Sequence, residues 1–341
     1  MGKKQVSLKD FAAILGVSVS TVSRALKNHP DISTEIKKKV NELARKWNYT
    51  VSPSSIGFKN PATKTIGVIV PNMVRYFYAS IISGIERLAN ENGYFIVIAN
   101  SNESYAREKE CVQNLIKLNV DGLIVCLTQE TSDYSHFDLA KQKDIPLMFF
   151  DRVCRTNEFS SVIADNSNAA KAITDHLNQS GSKRIAHIAG PKTLNITNER
   201  IAGYLMSLND NGLEFDKDLI VYCDLSPNGA SKAINKLLAT PKIPDAIFCV
   251  NDTVAYVAMK EIKKKGLRIP DDIALTGFND EFHSTIVEPT LTTVLHPTDE
   301  MGKETARLLI DQIESGQPHA PRQIVMKTTL VVRESSIKHN L

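Results

Sequence analysis

From Thr65 onward the chain alternates short apolar runs with amphipathic stretches of helical period. That alternation limits the body to parallel sheets covered by helices on both faces. The strand-like runs fall at 66–70, 95–99, 122–127, 146–150, 161–164, 185–189, 219–223, 246–250, 273–276, 291–295 and 324–332. Between them lie helical patterns such as 78–92, where Ile81, Ile82, Ile85, Leu88 and Ala89 share one face. Eleven strands exceed one comfortable doubly wound sheet, so the expectation is two sheets of similar size.

The first fifty residues read differently, with three helical patterns and no strand. Ser7 with Asp10 three residues on forms a capping pair ahead of Leu8, Phe11, Ala12, Ile14 and Leu15, and Gly16 ends that helix. Ser18 is placed to cap a second helix running to Leu26, with Val22, Ala25 and Leu26 inward and Val19, Ser20, Ser23 and Arg24 outward. Ser33 or Thr34 begins a third, whose buried side is Ile36, Val40, Leu43, Ala44 and Trp47; Trp47 and Tyr49 close a small core. Two helices about a tight turn, the second showing short polar side chains and one arginine, have the geometry that enters a DNA major groove. Arg24 can fork onto a guanine edge or bond a phosphate, whereas Ser20 reads bases weakly. Ser7, Ser18, Thr21 and Thr34, near helix N-termini, are candidates for phosphate contact, with helix capping as the competing role of each.

Charge is distributed to match. Residues 1–60 hold eleven Lys and Arg against four Asp and Glu, whereas the whole 341-residue chain is only +3. A basic head on a mildly acidic remainder suits a chain that meets phosphate with one end. No apolar stretch follows Lys3-Lys4 and no segment has the length of a membrane span, so the expectation is a cytosolic protein with no membrane partner. Cys111, Cys126, Cys154, Cys223 and Cys249 are odd in number and widely spaced, most of them inside apolar runs; they read as buried thiols in place of disulfides or a metal site. The eight histidines show no metal-ligand spacing, and nucleophile-elbow, phosphate-loop, dinucleotide and H-E-x-x-H motifs are missing. The sequence therefore speaks against an enzyme and implies no cofactor and no metal.

Ser7-Leu8-Lys9-Asp10-Phe11-Ala12, Gly16-Val17-Ser18, Thr21-Val22-Ser23-Arg24, Leu26 and Asn48-Tyr49 resemble the headpiece of the lactose repressor/galactose repressor family. Ile66-Gly67-Val68-Ile69-Val70-Pro71, Asp121-Gly122-Leu123-Ile124, Asp165-Asn166, Arg200-Ile201-Ala202-Gly203-Tyr204, Asn251-Asp252 and Gly277-Phe278-Asn279-Asp280 follow in that family's order. The resemblance implies a small all-α helix-turn-helix headpiece at 1–50, a hinge at 51–62 and an α/β body at 63–341. The body would be two Rossmann-like subdomains of the periplasmic-binding-protein type: about 63–161 plus 292–322, and about 162–291 plus 323–341. The function implied is that of a sequence-specific transcriptional regulator, a repressor in the first instance, working as a homodimer on a near-palindromic double-stranded DNA operator. A small polar effector, a sugar or related metabolite, would control it from the cleft of the body.

Carried over by position, the family's base-reading residues fall on Val19 and Ser20, with Arg24 further along the helix; an apolar Val19 would read a thymine methyl. The effector contacts fall on Phe77, Tyr78, Asp151, Arg200, Asn251 and Asn279, the last where family members often have Asp. Phe77 and Tyr78 could equally be helix-start packing, and Asp151 a strand-end acid.

The segment Ser52-Pro53-Ser54-Ser55-Ile56-Gly57-Phe58-Lys59 departs most from the family. Ser52 and Pro53 suit a helix start, but Gly57 costs about 1 kcal/mol against Ala. Where the family pushes a leucine into the minor groove, this chain has Phe58, expected as the wedge, with Lys59 as a neighbouring groove or phosphate contact. A Phe58 packed as plain linker is the competing reading. Two other functions remain open to the sequence: a solute-binding protein of the same body fold, and a regulator answering a protein partner through the charged helix at Met301-Gly302-Lys303-Glu304.

Overall fold

The computed structural model describes residues 6–26, 28–47, 49, 62–317 and 319–338. The expected wedge Phe58, its neighbour Lys59 and Gly57 lie outside the described residues. The chain divides into two compact units, Met1–Thr63 and Lys64–Leu341.

The first unit holds helices α1 (Leu8–Leu15), α2 (Val19–Leu26) and α3 (Thr34–Lys46). Ser7 starts α1 by donating both its backbone N–H and its hydroxyl to the Asp10 carboxylate, each at 2.7 Å. Gly16 then takes a left-handed φ of 66°, which a side chain would strain, and turns the chain toward α2. Ser33 caps α3 by accepting the Ile36 N–H, so of the two adjacent hydroxyl residues Thr34 is the first helical one. Phe11, Val22, Ala25 and Val40 are fully buried, and Trp47 and Tyr49 stand edge-on to Phe11 with ring centroids 4.9 and 4.8 Å away. Offset aromatic contacts of this kind give so small a core much of its apolar burial.

In the second unit a six-stranded parallel sheet has the order β11-β5-β4-β3-β1-β2, from β1 (Thr65–Val70), β2 (Phe95–Asn100), β3 (Gly122–Val125), β4 (Leu147–Phe150), β5 (Ser160–Ala164) and β11 (Gln323–Met326). A four-stranded parallel sheet has the order β7-β6-β8-β9, from β6 (Ile185–Ala189), β7 (Ile220–Tyr222), β8 (Ala246–Cys249) and β9 (Ala274–Thr276). The strands β3, β4, β5, β6 and β8 are buried at every residue, as parallel strands covered on both faces must be. A third, antiparallel pair joins β10 (Thr293–Leu295) to β12 (Thr329–Val331), and bridges from Thr276 to Thr292 and from Asn279 to Leu295 attach it to the end of β9.

Three expectations are corrected here. The sheets are unequal, six strands against four plus a ribbon. The single run expected at 324–332 is two strands, β11 pairing with β5 in one sheet and β12 with β10 in the ribbon, with the change of partner at Lys327 and Thr328. The subdomain boundaries fall a few residues later than about 161, 291 and 322. Ser161 to Ala164 pair with Gln323 to Met326 inside the six-stranded sheet, which commits both segments to it. Near 291 the chain stays beside β9 through His296, then enters α11 (Thr298–Ser315), which packs on α4 (Tyr76–Glu91) against the first sheet. That helix pair is crossed at glycines: a Cβ on Gly84 would overlap the Asp299 carbonyl oxygen, and one on Gly302 the Ile81 carbonyl oxygen.

Candidate functional site

The carboxyl ends of β1, β4, β8 and β9 border one cleft of about 390 Å³ including its mouth. All six residues expected to touch an effector line it: Phe77, Tyr78, Asp151, Arg200, Asn251 and Asn279. Local structure explains each placement. Phe77 and Tyr78 lie in the first turn of α4, directly beyond β1. Asp151 is the first residue past β4, at a φ of 57°, and Asn279 follows β9 at 118°; Asn and Asp tolerate such angles better than most side chains. Arg200 projects from α8 (Asn195–Asp210). Asn251 caps α10 (Asp252–Lys264), its amide oxygen accepting the Val254 N–H at 2.8 Å. Crevices beyond strand carboxyl ends are where doubly wound sheets bind ligands.

The electrostatics are those of a polar pocket lined by buried charges. Arg200, 3% exposed, lies over the Phe278 ring with its guanidinium carbon 3.6 Å from the centroid. Burial lowers its pKa to about 10, against the pull of Asp151 and Glu199, so it remains charged at neutrality. Burial likewise raises the Asp151 carboxyl, although Arg152 and Arg200 oppose that shift. Asn279 bonds the Glu281 carboxylate, whose pKa burial pushes upward.

The sequence reading missed Arg75, Arg152, Ile196, Leu225, Val250 and Glu281 in the wall. Arg152, 1% exposed, donates from Nη1 to both Glu103 carboxylate oxygens, at 2.8 and 3.1 Å, and to the Leu127 carbonyl at 3.2 Å. Burial works against its charge, yet Tyr78 and Glu103 outweigh it and raise its pKa. Arg75 reaches across the cleft to donate to the Leu225 carbonyl at 2.8 Å, and Thr193 does the same to Gln129 at 2.8 Å. Adjacency to Asp151 and Asn279 was the one signal that could have found Arg152 and Glu281.

In the headpiece unit, Val19, Ser20 and Arg24 lie on the exposed face of α2, with Val19 40% exposed. Ser18 accepts the Thr21 N–H at 3.1 Å, and its hydroxyl meets those of Ser20 at 2.7 Å and Thr21 at 2.8 Å, so one hydroxyl cluster sits at the N-terminus of this helix. Ser7 and Thr34 are exposed at the starts of α1 and α3. The capping role therefore applies to Ser7 and Ser18 and passes from Thr34 to Ser33. Among the described residues no group of His, Cys, Asp or Glu is arranged to hold a metal ion, and no helix is long and apolar enough to cross a membrane.

A helix-turn-helix unit followed by a two-sheet body with a polar cleft is the build of a ligand-controlled, DNA-binding transcriptional regulator. Residues 7–52 match the bacterial regulatory proteins of the lacI family, and residues 63–334 match the periplasmic binding proteins and sugar-binding domain of the LacI family. The chain belongs to the LacI family. It is 32% identical to the HTH-type transcriptional repressor CytR of Escherichia coli (strain K12), over 98% of each chain. It superposes on the transcriptional regulator CelR–cellobiose complex with a TM-score of 0.75 at 29% identity, over 97% of this chain and 99% of the other. The lac repressor dimer bound to operator and the anti-inducer ONPF shares the fold, with a TM-score of 0.79 at 24% identity over 98% and 100% of the chains. The name of the CytR relative, a transcriptional repressor, accords with the regulator reading of the sequence.

Proposed function

We propose that this regulator is a cytoplasmic homodimeric repressor that grips a near-palindromic operator through α2 and is controlled by a sugar or related metabolite held in the cleft. The observation that carries the reading is the convergence of a buried arginine, a buried aspartate, two amides and an aromatic pair on one crevice. Arg200 and Asp151 suit hydroxyls, and Phe77 with Tyr78 offers ring faces for stacking. The CelR relative in complex with cellobiose supports a carbohydrate ligand.

In the headpiece we assign base contacts to Val19, Ser20 and Arg24, and phosphate contacts to Ser7, Ser18, Thr21 and Thr34. Phe58 keeps its sequence-based assignment as the minor-groove wedge, and Lys59 as a neighbouring groove or phosphate contact. The body's pairing with a second copy is supported by apolar side chains left outward: Val74, 93% exposed, with Met73 and Tyr76 near the start of α4, and Phe95 with Val97 on the edge strand β2. Selection of bound duplexes from a random pool, repeated with a panel of sugars and nucleobases, tests the reading; a pool that never enriches contradicts it.

A further inference from the structure

His296 carries chemistry that the reading of the cleft leaves unused. It lies in the passage from β10 to α11 and is 2% exposed. Its backbone N–H donates to the Asn279 carbonyl at 3.4 Å, while the Asn279 N–H donates to the Val294 carbonyl at 3.0 Å, so the two residues run side by side. The imidazole stacks on the Phe77 ring, with centroids 4.9 Å apart and planes at 29°, and meets the ring of Phe278 edge-on at 6.1 Å. Phe77 and Asn279 line the cleft, and Phe278 underlies Arg200, so His296 stands directly behind the wall.

Among the described residues, neither Nδ1 nor Nε2 of His296 has a hydrogen-bond partner. Buried His187, by contrast, has its Nδ1 on the Phe248 carbonyl at 3.0 Å. Two polar nitrogens withdrawn from water without partners destabilise the fold, and a phenylalanine would supply the same stacking surface without that cost. Burial, with the nearby Arg200 charge, holds the ring neutral, its pKa lowered to about 3. A neutral imidazole offers one N–H donor and one lone pair, which suits a hydroxyl and gives no ion pair to a carboxylate or phosphate.

We propose that His296 is a ligand-recognising residue of the cleft, which bonds a hydroxyl of the effector inserted beside Phe77 and Asn279. The proposal rests on the effector reading above and deepens it: the ligand is a hydroxyl-bearing molecule whose inner end engages the segment leading into α11.

The test compares full-length wild type, His296→Phe and His296→Gln by calorimetric titration with D-ribose, D-glucose, cellobiose and cytidine, and by thermal melting. The expected result is that His296→Phe melts at or above the wild-type temperature, yet binds at least tenfold more weakly whichever probe the wild type binds. His296→Gln, which keeps a donor and an acceptor, should recover part of that loss. One deoxy form of the bound probe should lose as much affinity in the wild type, and nothing further in His296→Phe. Unchanged affinity in His296→Phe overturns the proposal. If the wild type binds none of the four, the effector reading is what fails for them, and melting still decides the histidine. A midpoint several degrees lower in His296→Phe would make it a structural residue, whereas an equal or higher one supports recognition.

Discussion

Arg200 places two of its N–H groups, Nε at 3.0 Å and Nη2 at 2.9 Å, on the single amide oxygen of Asn166, and its Nη1 donates to the Val250 carbonyl. A guanidinium buried among neutral acceptors is fixed in direction without being neutralised, so its charge stays available to whatever enters the cleft. Asn166, the first residue of α7 (Asn166–Gln179), is itself held by donating its amide to Glu199 at 2.8 Å.

Asn166→Ala should therefore weaken sugar binding although Asn166 lies outside the cleft wall, and Arg200→Met should weaken it more. Hydrogen bonds to a charged group are worth roughly 1.5–3 kcal/mol, which is about 10- to 100-fold in affinity. Isothermal titration of both variants checks the order of effects. Equal, full affinity in the two would remove Arg200 from the site.

Three buried groups make opposing contributions to stability in mild acid. Burial holds His187 down at about 4 and His296 at about 3, against an ordinary 6.5, so the unfolded chain takes up these protons first. Their contribution is full above about pH 6.5 and is lost as the pH falls toward 4. Asp252 runs the other way: burial raises it from 3.8 to about 7, despite hydrogen bonds from Thr293 and Glu281, so its folded form holds a proton that the unfolded chain releases. Its contribution is lost as the pH rises from about 4 to 7. The histidine and aspartate contributions oppose one another in this window, and Asp252→Asn should steepen the loss of stability on acidification between about pH 6 and 4.5 by about 1.4 kcal/mol per pH unit. Urea unfolding across the window measures both; parallel profiles for wild type and variant would contradict the assignment.

Gly302→Ala should destabilise the body by roughly 1–3 kcal/mol, the usual cost of overpacking, because its Cβ would meet the Ile81 carbonyl where α4 and α11 cross. Gly212→Ala, with open space about it but a φ of 63°, supplies the control for left-handed strain alone. Denaturant midpoints compare the two, and a Gly302→Ala midpoint matching the wild type would contradict the close crossing.

On DNA, Arg24→Ala should cost about 1–3 kcal/mol on a selected duplex and relax preference at one base pair. Val19→Ala should erase a thymine preference and leave the salt dependence unchanged, since it touches no phosphate. Gel-shift titrations on single-base variants of the duplex separate these outcomes; a uniform loss for Arg24→Ala across all sequences would move that residue to the backbone.

Much of this was legible before the structure. The small core of Phe11, Val22, Val40 and Ala44 followed from helical period, and the six cleft residues followed from family position combined with strand-end placement. What stayed hidden was set by distance or by neighbours of equal chemistry. Arg152 is buried because Glu103, 49 positions away, meets it, and nothing local to an arginine announces such a partner. Ser33 and Thr34 are equally able caps, and only the Ile36 N–H chooses between them. Ile324 to Val332 contains no Gly or Pro to mark the point where the strand changes sheets. His296 sits in Leu295-His296-Pro297, a setting that gives no hint of an imidazole enclosed by Phe77 and Phe278.

If the protein is a ligand-controlled regulator, occupancy of the cleft sets its affinity for DNA. Fluorescence anisotropy of a labelled, selected duplex, titrated with full-length protein at fixed ionic strength with and without a saturating cleft ligand, tests it most directly. Kd should move by about 5- to 150-fold, in either direction, and the movement should disappear in Arg200→Met. Superimposable isotherms, recorded while calorimetry shows the cleft filled, would contradict it.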